Sequence, residues 1–293
     1  MMNIKSLTPT LKETFADWNK YEAPRLGAAL AFYTILSLSP LVILVVALVG
    51  LFFDRSTAQT HILNQVQGMI GAEGGKAVES MLANAHKPSS GILGTIVGLL
   101  TLLFGASGVF GELRSAMNKI WEVPPKETSG VWGMLRERFF SFGMVLSIGF
   151  LLMVSLVLST ALAAIGKFFG GILPVPASVL AIANFLFSFL AIAVLFALIF
   201  KFVPETKIPW RDVRVGAIAT ALLFTIGKTL IGLYLGKASV GSAYGAAGSL
   251  IVVIVWVYYS AQIFFFGAEF THVYAKADPE LALNNGQPSA VAT

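Results

Sequence analysis

GKASVGSAYGAAGSLIVVIVWVYYSAQIFFFGAEFTHVYA, residues Gly236–Ala275, joins a glycine-punctuated lead-in to one long apolar segment, and the reading of that segment decides the fold. From Leu250 to Phe266 no residue is charged, roughly the length that crosses a hydrocarbon core at about 1.5 Å per residue. Tyr258, Gln262, Phe265, Glu269 and His272 follow one another at spacings of four, three, four and three, so they share one helical face. Unpartnered polar groups in hydrocarbon cost several kcal/mol each, and the stripe is therefore expected to look inward, onto other helices or onto water.

The whole chain agrees with that reading. It is 56% hydrophobic and only 12% charged, with a mean hydropathy of +0.80, where soluble domains carry about a quarter charged residues. An all-α polytopic membrane protein is expected. The net charge of +5 comes from basic residues spread along the loops beside the spans rather than from a run, so membrane topology explains it and a nucleic-acid partner is not expected. The absence of cysteine excludes disulfides, thiolate metal sites and a cysteine nucleophile. The polar first 25 residues argue against a cleavable signal.

Three groups of residues carry a family resemblance. They are GAALAFYTILSLSPL at Gly27–Leu41, ELRSAMNKIWEVP at Glu112–Pro124, and GSAYGAAGSL with WVYYSAQIFFFGAEFTHVYA in the last span. Together they resemble the YihY/BrkB family of bacterial inner-membrane proteins, whose older name is ribonuclease BN. The resemblance implies a six-span fold with both termini in the cytoplasm and leaves the molecular activity open.

In chain order, Thr10 and Glu13 have the spacing of a capping box, and a helix over 8–22 is expected. Leu11, Phe15, Trp18 and Tyr21 fall opposite Lys12, Glu13, Asp17 and Lys20, which predicts an amphipathic helix lying in the membrane interface, within a cytoplasmic segment 1–25. Spans are expected at about 26–53, 92–110, 139–166, 177–200, 213–235 and 249–274, with an outer amphipathic insert at 54–90 and a flexible cytoplasmic tail at 276–293. Pro40 predicts a kink or break in the first span, freeing the carbonyl of Leu36. Gly94, Gly98, Thr101, Gly105 and Gly108 give the second span a small-residue face, suited to packing within the chain or to a homo-oligomer. The segment Glu112–Trp121 reads as an interfacial elbow helix.

Orientation follows from lysine and arginine. Lys5, Lys12, Lys20 and Arg25, then Arg114, Lys119, Lys126, Arg136 and Arg138, then Lys201, Lys207, Arg211 and Arg214, and finally Lys276 fall on one side; the other carries only Arg55, Lys76, Lys87, Lys167 and Lys237. The richer side is expected to be cytoplasmic.

The candidate pathway gathers Tyr33, Ser37 and Pro40 of span 1, Lys228 of span 5, and Tyr258 and Gln262 of span 6. Hydroxyls, an amide and one cation suit a polar or anionic headgroup; interhelical hydrogen bonding is the competing account. Lys228, the only cation deep in a span, either snorkels to the interface or faces an aqueous cavity. Glu269 is expected to meet Arg114, Arg211 or Arg214 at the inner surface. His61 and His86 have no second ligand at metal spacing, and no metal, cofactor or P-loop is expected. Metal-assisted ribonuclease chemistry needs clustered ligands, which the sequence does not bring together. The expected protein is a non-enzymatic mover of amphipathic or anionic solutes or lipids, or else a membrane scaffold.

Overall fold

The computed structural model describes residues 4–49, 59–60, 63–64, 67, 74–80, 83, 108–124, 177–237 and 247–277. Among them there is no strand. The helices are α1 (Ile4–Lys20), α2 (Ala23–Val49), α3 (residues 108–120), α4 (Ala177–Phe202), α5 (Trp210–Lys237) and α6 (Gly248–Lys276). The third span at 139–166, most of the second, most of the outer insert and the tail beyond Ala277 lie outside the described residues.

Two described stretches, Trp210–Leu235 in α5 and Leu250–Lys276 in α6, are long and apolar enough to cross a membrane; Ala23–Leu38 and Ser188–Phe202 are shorter apolar helices. The α6 helix is the hub. It packs against α1, α2 and α5, and α4 packs in turn on α5. The core joins Leu26 of α2, Met117 and Ile120 of α3, Phe196 and Phe200 of α4, Val213 and Ala217 of α5, and Phe264 and Phe265 of α6. Phe196 touches Phe224 and Phe264 with ring centroids 5.6 and 6.1 Å apart, so aromatic area rather than hydrogen bonding joins α4, α5 and α6. The short helical stretch 74–80 of the outer insert also reaches the bundle, where Ala77 clusters with Val253, Leu38 and Trp256.

Three expectations are corrected or narrowed. The first helix begins at Ile4 with Pro9 inside it, so Thr10 does not cap it; Thr10 is buried and its carbonyl accepts from Thr14 Oγ1 at 2.8 Å. The α1 helix also packs on α6. Its buried residues are Thr10 and Thr14, with Asp17 and Trp18 half-buried, whereas Leu11 and Phe15 are exposed. Docking on α6 selects that stripe over the most apolar one. Second, α2 runs as one helix from Ala23 to Val49, which narrows the expected kink or break at Pro40 to a kink; the Pro40 side chain itself lies outside the described set. Third, residues 112–120 form a helix, as expected, but not a separate one. They continue the helix that holds residues 108–111, and Met117 and Ile120 are fully buried because that face meets the core.

Two corners use left-handed glutamates. Glu22, between α1 and α2, has φ 57°, and Glu122, after α3, has φ 51°. At α3 the Val123 amide donates to the Asn118 carbonyl and the Glu122 amide to the Lys119 carbonyl, the paired bonds of a Schellman cap. Glycine is the usual occupant of that position, and a glutamate there costs about 1 kcal/mol of backbone strain. Glu122 earns its place through its side chain, as described next.

Candidate functional site

At the end of the bundle that carries α1, three elements converge on the last turns of α6. The Tyr21 hydroxyl donates to Glu122 Oε1, Lys276 Nζ lies 3.2 Å from Glu122 Oε2, and Lys20 Nζ donates to the Tyr21 hydroxyl at 3.1 Å. The hydrogen bond from Tyr21 holds the Glu122 carboxyl below the usual carboxylate range, and the Lys276 ammonium acts in the same sense. Burial, and then the bond to Glu122, pushes the Tyr21 phenol up. Lys119 and Arg25 both pair with Glu22, at 3.5 and 3.1 Å. These charges are at least partly exposed, so each pair is worth about 1 kcal/mol or less; as a set they fix how α1, α3 and α6 meet.

Beneath this network lies a group with different character. A carboxylate oxygen of Asp17, a carboxylate oxygen of Glu269 and a ring nitrogen of His272 all lie within 4.8 Å of one another. Glu269 is fully buried and His272 is 5% exposed. Both oxygens of Glu269 and Nδ1 of His272 have no hydrogen-bond partner among the described residues. The ring of Trp121 covers His272 at a centroid distance of 4.9 Å. Glu269 and His272 were legible as neighbours on one face; Asp17 was not, because the apolar periodicity of α1 puts it on the face turned away from the membrane interface.

The arginines expected opposite Glu269 are engaged elsewhere. Arg114 pairs with Glu205, whose amide donates to Asn118 Oδ1 at 2.9 Å; Arg211 pairs with Asp212 at 3.6 Å; and Arg214 Nε donates to the Trp210 carbonyl at 3.2 Å. The face of α6 that carries Glu269 meets α1, and that geometry sets its neighbours.

Of the candidate pathway residues, Gln262 and Ser37 have different neighbours. Ser37 is buried, but its hydroxyl donates to the Thr34 carbonyl of its own helix at 3.0 Å. Tyr33 is half-buried and fills the space beside Gly108 of α3, so that part of the small-residue face packs within the chain. Gln262 meets α2 at Gly27, where any Cβ would overlap its amide. Gly27 and Ser37 are about 15 Å apart along α2, so Gln262 and Ser37 occupy different levels. Lys228 and Tyr258 are half-buried.

Gln262 does line a cleft of about 340 Å³ between α1, α5 and α6, and both heteroatoms of its amide are buried without partners. Phe15 and Trp18 form one wall, Leu223, Ile226 and Leu230 another, and Tyr259, Ile263 and Phe266 the floor. Lys228 and Tyr258 are not among its lining residues. Ile226 and Leu230 of that second wall are exposed.

The α5–α6 contact is built from glycine and threonine. A Cβ on Gly216 would overlap Thr271, and one on Gly267 would overlap Thr220, so each threonine fills the gap left by the other helix's glycine. Each hydroxyl turns back on its own helix: Thr220 Oγ1 donates to the Gly216 carbonyl and Thr271 Oγ1 to the Gly267 carbonyl, both at 2.7 Å. The hydroxyls are thereby satisfied without crossing the interface. Two Gly-x-x-x-Thr spacings were the sequence signal for this seam.

Comparison with known proteins gives a consistent assignment. The family described as "Virulence factor BrkB" matches residues 14–290. A UPF0761 membrane protein of Cronobacter sakazakii is 31% identical over 258 residues, covering 84% of this chain and 81% of its own length. One from Mannheimia succiniciproducens is 27% identical over 259 residues, covering 84% and 83%. The UPF0761 membrane protein YihY of Salmonella typhimurium is 34% identical over 200 residues, covering 66% and 62%. No solved structure matches.

Proposed function

Since the chain belongs to the BrkB family of membrane proteins, together with the UPF0761 proteins such as YihY, we propose that it moves, or helps to move, an amphipathic or anionic solute or a lipid across the membrane. The observation that carries this reading is the cleft at Gln262, with apolar walls and one unpartnered amide. An acyl chain fits such walls, and the amide offers a donor and an acceptor to a headgroup. Its volume of about 340 Å³ suits part of an amphiphile rather than a whole lipid. The reading includes six spans in the bacterial inner membrane and both termini on the cytoplasmic, lysine- and arginine-rich side. It includes no catalysis, no nucleotide hydrolysis and no nucleic-acid partner. A homo-oligomer through the second span's small-residue face belongs to it as well.

A non-transporting scaffold is the second reading. It draws on the seam between α5 and α6, where polar side chains serve packing alone, and on the absence of Lys228 and Tyr258 from the cleft lining. Reconstitution into liposomes with labelled phospholipids and amphipathic anions separates the two. The native chain is expected to accelerate their transfer, and Gln262→Leu to slow it by about tenfold, the effect of about 1.4 kcal/mol at a recognition group. Lys228→Ala should act weakly. Equal rates for the native chain, both variants and empty liposomes would leave the scaffold.

A further inference from the structure

We propose that Asp17, Glu269 and His272 form a binding site for a divalent transition-metal cation, of the manganese or zinc type, that fastens α1 to α6. The proposal stands independently of the transport reading. Two donors about 2.0–2.5 Å from a common ion can be no more than about 5 Å apart, and all three donor atoms lie within 4.8 Å of one another. Two carboxylates and one imidazole make a mixed oxygen and nitrogen set, which suits manganese or zinc better than the oxygen-seeking magnesium or calcium.

The second observation is independent of that spacing. Glu269 is fully buried with neither oxygen hydrogen-bonded among the described residues, and Nδ1 of His272, beside it, is equally orphaned. Buried carboxylates are ordinarily paired or bound to metal. The nearby ammonium groups do not supply that pairing, since Lys20 and Lys276 are both directed to Glu122, at 3.9 and 3.2 Å. A bound cation offsets the facing carboxylates of Asp17 and Glu269, and it links two helices that meet nowhere else through a charged contact among the described residues. The spacing Glu269-x-x-His272 puts both α6 ligands on one face one turn apart, and α1 supplies the third from across the interface.

The test uses the full chain in detergent, with any affinity tag removed and with metal stripped by chelation. Calorimetric titration with Mn²⁺ and with Zn²⁺ is expected to give one site per chain. Asp17→Asn, Glu269→Gln and His272→Ala should each weaken it by about tenfold or more, while Lys228→Ala, far from the cluster, leaves it unchanged. Ca²⁺ should bind at least about tenfold more weakly than Mn²⁺. A native chain that binds neither Mn²⁺ nor Zn²⁺ stoichiometrically overturns the proposal, as does affinity equal to native in all three ligand variants. Should a variant fail to elute as a single species, pulsed electron paramagnetic resonance of Mn²⁺ on the native chain decides: coupling to one imidazole nitrogen supports the site, and its absence overturns it. Loss of solute transfer with metal binding intact would count against the cleft alone.

Discussion

One turn of α6 holds both extremes of how this protein treats a buried polar group. Thr271 sits at the seam with α5, its hydroxyl bonded to the carbonyl of Gly267 and its body filling the hollow at Gly216. Glu269 and His272, on the neighbouring face, are as deeply buried and have orphaned atoms. The first arrangement is closed: every polar atom is spent within its own helix, and only shape faces the neighbour. The second is open, with donors aimed at the same small volume and nothing in the described protein to complete them. A closed seam is what packing requires; an open corner costs stability unless something else fills it.

The largest expected effect comes from breaking the seam. Gly216→Ala puts a methyl group where Thr271 sits, and overpacking of that kind costs about 1–3 kcal/mol. The midpoint of denaturant unfolding in mixed micelles should fall accordingly, and adding Thr271→Ala should recover part of the loss. Full additivity of the two changes would mean that the helices do not meet there.

A somewhat smaller effect, of opposite sign, is expected at the corner. In metal-free protein, at a pH where the carboxyl is ionised, Glu269→Gln removes an unpaired buried charge and should stabilise the fold by about 1–2 kcal/mol. Thr271→Val, an equally conservative removal of a polar atom, should instead be neutral or cost about 0.5–1 kcal/mol, because it deletes one bond made within a helix. If both substitutions destabilise equally, the contrast between the two regions is wrong.

The smallest effect concerns the partly exposed network above the corner. Glu122 has a lowered pKa in the folded state, so its contribution is present above its ordinary carboxylate range, near pH 4–5, and is lost as pH falls through the lower folded value. Tyr21 has a raised pKa, so its contribution is complete below about pH 10 and is lost as pH rises beyond that. Screening limits the total to well under about 1 kcal/mol. Glu122→Gln should flatten the unfolding midpoint on the acid side, and an unchanged pH profile would remove Glu122 from the account.

Much of the helical content was open to reading from the sequence. The segments expected at 177–200, 213–235 and 249–274 appear as helices Ala177–Phe202, Trp210–Lys237 and Gly248–Lys276, because apolar length and the lack of interior breakers are local properties. The site was less legible. Gln262 was singled out and does line a cleft, but its contact is Gly27 rather than Ser37 or Tyr33. The periodicity of α1 puts Asp17 opposite Leu11 and Phe15, on the face turned away from the membrane interface. Those two remain exposed, as an apolar side chain beside lipid has no need of protein cover, and hydrophobicity alone therefore does not say which face is inside.

The sequence by itself determined that this is a membrane protein of long helices with an inward polar stripe on its last span, for those properties follow from composition and a period of 3.6. Only the tertiary structure decided which groups meet: Asp17 with Glu269 and His272, Thr220 with Gly267, Gln262 with Gly27. Such meetings depend on how each helix is rotated about its axis, and glycine-sized hollows from distant parts of the chain set that rotation.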